Sequence, residues 1–167
     1  MGIFSARRRI RPTPGGTYEL HLPSVERELV ANLVDQLRDL LTATTDDPSV
    51  RRLFPTAYNE DPERDREYQQ LVRDELLERR LAALATVEQT AEAETVDEEQ
   101  LSAWLTALND VRLVLGTRLD VTEDLSTVEA DDPDAPAYAV YDYLGFLVSE
   151  VVDALAGGLP HPTEPEI

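Results

Sequence analysis

Arginine keeps its charge in any protein environment, so an arginine set among leucines needs a physical reason. Arg112 is such a residue. The stretch "NDVRLVLGTRLDV", residues 109–121, places it between Val111 and Leu113. On a helix advancing about 100° per residue, with Leu101 at zero, Leu105, Leu108, Leu115 and Leu119 fall between roughly 320° and 40°. Arg112 falls at roughly 20°, inside that stripe, while Asp110 points to the opposite side. An upstream segment has the same character. With Tyr68 at zero, Leu71, Val72 and Leu76 mark an apolar sector that also holds Glu75 at about 340° and Arg79 at about 20°. Glu75 and Arg79 are i, i+4 neighbours.

A buried charge without a partner is strongly unfavourable. The spacing therefore predicts a buried polar network of Arg112, Glu75, Asn109, Arg79 and Asp142. Glu75 is the first candidate carboxylate for Arg112 and Asp142 the second. Such a pair fixes the register between helices more than it adds stability. The alternative chemistry is a small-molecule or catalytic site built from Arg112, Asn109 and Glu75.

Other reactive constellations are missing from the sequence. There are two histidines, His21 and His161, and no cysteine. That excludes disulfides, thiol sensing within the chain, thiolate metal sites and a histidine metal cluster. The Glu-x-x-His pattern of carboxylate di-metal bundles is absent. So are a phosphate loop, a dinucleotide glycine fingerprint and a serine elbow. The acid pairs Asp46-Asp47, Glu60-Asp61 and Asp131-Asp132 lie in turn-like segments and read as solvated. The expectation is a protein that is not an enzyme, with no cofactor and no metal.

The elements that carry these residues are mostly helical. Four amphipathic segments follow two strand-like runs, "FSARRRIR" and "GTYELHLP", which flank a Pro-Gly-rich loop and predict a β-hairpin. The first helix starts at Ser24 as N-cap, with Leu29, Leu33, Leu37, Leu40 and Leu41 at helical spacing. The second opens at Pro62 and runs to about residue 93. The third spans about 97–119, and the fourth about 136–156, closed by Gly157-Gly158. Gly116 and Gly145 lie inside the last two helices, where each costs about 1 kcal/mol against alanine, so a close helix approach is expected there. The fold class is all-α, a four-helix bundle-like domain with a short N-terminal hairpin. The divisions are residues 1–22 for hairpin and basic arm, 23–156 for the bundle, and 157–167 for a disordered tail.

The chain has 34 acids against 15 bases, a net charge of −19. A field of that sign repels DNA. The local exception is "RRRIR", with Arg7, Arg8, Arg9 and Arg11 as candidate contacts to phosphate or an acidic partner. The bland reading is an edge strand blunted by charge. No apolar run is long enough to span a membrane, and the start does not read as a secretory or myristoylation signal. A soluble cytoplasmic protein is expected. The connector "RRLFPTAYNEDP" carries Leu53, Phe54 and Tyr58, which either cap the helices or dock a partner.

Three blocks together, "RRLFPTAYNEDP", "WLTALNDVRLVLGTRLDV" and "YAVYDYLGFLVSEVVDAL", resemble an actinobacterial family of AosR-type (actinomycete oxidative-stress-responsive) regulators, usually encoded beside the Clp adaptor ClpS. The resemblance covers about residues 18–156. It implies a helical cytoplasmic regulator that acts through partner proteins, a sigma factor among the candidates. Without cysteine, thiol oxidation has no counterpart in this chain. The expected function is a non-enzymatic regulator acting by protein–protein interaction in stress-responsive transcription, with homo-oligomerisation open.

Overall fold

A computed structural model describes residues 8–43, 47–54, 62–121 and 131–157. The elements in order are β1 (Ile10–Pro12), β2 (Tyr18–Leu20), α1 (Ser24–Thr42), a 3₁₀ segment (Pro48–Leu53), α2 (Pro62–Thr90), β3 (Thr95–Val96), α3 (Glu98–Arg118) and α4 (Ala135–Gly157). The protein is mainly helical, with a small antiparallel sheet near its N-terminus.

The hairpin is present, but it is two strands of a three-stranded sheet ordered β1-β2-β3. Ile10 pairs with Leu20, and Tyr18 with Val96. These four side chains are buried, as the two-residue period of a strand requires when one face meets a core. The turn uses Gly16 at φ 77°, a conformation that suits a residue without Cβ. The sheet shares one hydrophobic core with the helices.

In α1 the buried seam is Val30, Val34, Leu37 and Leu41. Leu29, Leu33 and Leu40 are only half-buried, so the helix is turned relative to the predicted leucine stripe. Its cap position is Pro23, without a side-chain cap, and Ser24 is the first helical residue. By contrast, α3 begins with a full capping box. The Gln100 backbone N–H donates to Asp97 at 2.7 Å, and the Asp97 N–H donates to the Gln100 side chain at 2.9 Å.

The central element is α3, which packs against α4, α2, the 3₁₀ segment and α1. That position explains its burial. Leu101, Trp104, Ala107, Leu108, Asp110, Val111 and Val114 are all buried, covering about half of the helix circumference. The Trp104 indole donates to the Thr90 hydroxyl at 2.8 Å, and that hydroxyl donates to the Thr86 carbonyl at 2.7 Å.

The two helix glycines work as a reciprocal pair. A Cβ on Gly116 of α3 would stand 3.0 Å from the Tyr141 ring of α4. A Cβ on Gly145 of α4 would stand 3.3 Å from Arg112 Nε of α3. Each glycine makes room for a large side chain of the other helix, which is the close approach expected from the sequence.

Candidate functional site

The charged residue that the fold buries on α3 is Asp110, only 2% exposed. Its partner is Arg80 of α2. Arg80 Nη1 donates to Asp110 Oδ1, and Nη2 donates to the Leu53 carbonyl at 2.8 Å. One guanidinium thus ties α2, α3 and the end of the 3₁₀ segment together. Asp110 Oδ2 and Arg80 Nε have no hydrogen-bond partner. Burial raises the Asp110 pKa, and the Arg80 charge opposes that rise without overcoming it. Sequence reasoning missed this pair. It assigned α3 a single apolar stripe, whereas a helix packed on several sides also buries its flank.

Arg112 is half-buried rather than buried, and it is not paired with Glu75. Its guanidinium lies 4.6 Å from the centre of the Tyr141 ring. The expected network is not assembled. Glu75 and Arg79 are exposed and bond each other at 2.8 Å, and Asn109 and Asp142 are exposed. The cause is the position of α2. Tyr68 and Leu71, used to define its inner face, are 61% and 71% exposed, so that face looks to solvent. The alternative site of Arg112, Asn109 and Glu75 loses its geometry with it.

The basic arm is also divided. Arg8 and Arg11 are exposed, and Arg7 lies outside the described residues. Arg9 is held inside. Its Nε and Nη2 donate to the two carboxylate oxygens of Glu26 at 2.8 and 3.0 Å, and its backbone N–H donates to Glu150 at 2.8 Å. This bidentate clamp joins the approach to β1 with α1 and α4. Tyr143 lies beside it, its hydroxyl pKa pushed far up by burial and then by the Glu26 charge. Of the four arginines expected to meet phosphate, Arg9 is therefore committed to the fold.

Arg27 makes a second clamp without any carboxylate. It donates to the carbonyls of Leu20, Leu22, Ala91 and Ala93 at 2.7 to 3.0 Å. It satisfies carbonyls at the end of α2 and along the sheet entry, and nothing in the sequence pattern signalled it.

Of the expected docking group, Leu53 is fully buried and belongs to the core. Phe54 is half-buried under the Arg73 guanidinium, 4.7 Å from its ring centre. Tyr58 lies outside the described residues. Leu53 lies within the core and Phe54 packs against it.

An open apolar cleft lies between α1 and α3. Leu33, Leu37 and Leu40 line one wall, Val111, Val114 and Leu115 the other, with Gln36 and Arg118 at the margin. Leu33, Leu40 and Leu115 are half-exposed there, the cost of the turned α1 seam. Among the described residues no group of acids and histidines is placed to hold a metal, and no helix is long and apolar enough to cross a membrane.

A family model described as a domain of unknown function, DUF2017, matches residues 7–155. The chain belongs to the DUF2017 family. No curated protein and no solved structure gave a match. The DUF2017 region contains the Arg80–Asp110 pair, both arginine clamps, the Gly116–Gly145 approach and the α1/α3 cleft.

Proposed function

We propose that this DUF2017 chain is a non-enzymatic cytoplasmic regulator that acts by binding another protein. Its helices are read as a bundle-like domain around α3, and the binding surface as the apolar cleft between α1 and α3. The cleft carries the reading, because half-exposed leucines on two adjacent helices form the kind of groove that receives an amphipathic helix. The Arg118 guanidinium at the cleft margin lies 3.8 Å from Asp47, and the whole chain is strongly acidic. The occupant that fits is a helix with apolar residues at i, i+4 and i+7 and basic residues on its flanks. The resemblance to AosR-type regulators supports stress-responsive transcription as the setting and a sigma factor as the class of partner.

The test compares wild type with Leu40→Glu and Leu115→Glu, both at half-exposed positions. A protein captured with wild type and then remade in pure form should bind it by calorimetry, weaken with added salt, and fail to bind either variant. Binding that survives both substitutions, or a partner segment with no amphipathic helix, overturns the reading.

A further inference from the structure

The first five turns of α2 bury little. Among its described side chains the buried ones are Ala83, Leu84, Val87 and Thr90, all near the C-terminal end. Yet the outward face of this helix has a regular pattern. Tyr68, Val72, Glu75, Arg79, Ala82, Thr86 and Gln89 alternate at spacings of four and three, the positions that would face a partner helix, apolar at Tyr68, Val72 and Ala82 and charged in the middle. Leu71 sits beside that row. The face is large at one end and small at the other. Tyr68 and Leu71 project into solvent. Around Ala82, Ala83 and Thr86 the surface sinks into a groove whose far wall includes Gln100 and Ala103 of α3.

A helix face with bulk at one end, a hollow at the other and a charge pair in the middle is complementary to itself. The geometry points to a homodimer in which two copies of α2 pack antiparallel. The two-fold axis passes midway between Glu75 and Arg79. Tyr68 of each copy then lies over Thr86 of the other and Val72 over Ala82, with Leu71 on the flank of the contact. Glu75 of each copy meets Arg79 of the other, and the exposed 2.8 Å pair within one chain becomes part of an alternating four-charge cluster. The contact from Tyr68 to Thr86 runs about 27 Å along the helix axis. This is an isologous interface, in which the same patch serves both copies. It is separate from the α1/α3 cleft and does not rest on it.

Net charge sets the sign of the salt effect. Two chains of −19 each repel one another, so screening should strengthen an association held by apolar packing. Docking of a basic partner would respond in the opposite sense.

The experiment is sedimentation velocity on the full chain across a concentration and salt series, with Leu71→Glu, Glu75→Arg and Arg79→Glu as variants. All three positions are exposed, and circular dichroism checks that folding is kept. Wild type should dimerise with rising concentration, more readily at higher salt. Leu71→Glu should stay monomeric. Glu75→Arg and Arg79→Glu should each be monomeric alone, because each homodimer would oppose like charges. Mixed together they should form a heterodimer, since every facing pair is then opposite in sign. Leu40→Glu in the α1/α3 cleft should leave the dimer intact. A wild type that remains monomeric throughout, a dimer indifferent to Leu71→Glu, or a mixture that fails to associate overturns the proposal.

Discussion

Asp110 and Arg112 are two residues apart on the same helix, and they accommodate charge in different ways. Asp110 is buried in the body and meets a guanidinium that also holds the Leu53 carbonyl. Arg112 is half-buried, its guanidinium over the Tyr141 ring, beside a glycine that leaves room for it. No carboxylate among the described residues pairs with it. A charge that gives up nearly all its water needs an opposite charge. One that keeps part of its water can rest on the negative face of a ring. The difference is one of depth, and depth is set by which neighbours surround α3 at each angle.

Removing a partner from the deep site should have the larger effect. Arg80→Ala leaves the Asp110 carboxylate buried and alone, and is expected to cost roughly 3–5 kcal/mol in urea unfolding. A loss below about 1 kcal/mol would put this pair in the class of exposed ion pairs and erase the contrast. At the shallow site, Arg112→Ala removes a ring contact worth about 0.5–1 kcal/mol and some packing of the arginine stem. Its cost should therefore stay well below that of Arg80→Ala. Equal losses at the two positions would mean that Arg112 is as deeply committed as Arg80.

The smallest effect is a slope with pH. Asp110 has its folded pKa raised above the unfolded value of 3.8. The protonated group is favoured on folding, so its stabilising contribution is full below 3.8 and is lost as pH rises through the folded pKa. Asp110→Asn cannot titrate. The stability of wild type relative to Asp110→Asn should therefore decline as pH rises from 3.8. An advantage that grows with pH would show that the Arg80 charge outweighs burial at this carboxylate.

Much of the helical framework was legible in the sequence. The Asp97 start of α3, the Pro62 opening of α2 and the glycine approach of α3 and α4 each follow from local rules of caps, dihedrals and side-chain volume. The third strand was not legible, because two residues are too few to reveal an alternation. The site failed for a related reason. A helical wheel ranks angles by the residues it carries, and it cannot tell which angles will have neighbours. On α2 it took Tyr68 and Leu71 as inward, although both are exposed and the buried described side chains of that helix lie toward its far end. On α3 it offered one buried stripe, although several elements enclose the helix. Glu75 and Asp110 changed places as a result. Arg9 and Arg27 were misread or unnoticed because their partners lie far along the chain, beyond any local pattern.

The Arg27 clamp has a consequence for the order in which the molecule comes together. Strands β1 and β2 leave the ribosome before the helices, but β3 arrives some seventy-five residues later, and so do two of the four carbonyls that Arg27 grips. Until residues 91–96 have been made, β2 has one unpaired edge and the guanidinium has only its local acceptors, Leu20 and Leu22. Contacts across such sequence distances form slowly, since a long loop must close before they are rewarded. The sheet is thus completed from downstream, and a nascent chain halted before residue 91 would present an open strand edge to its surroundings.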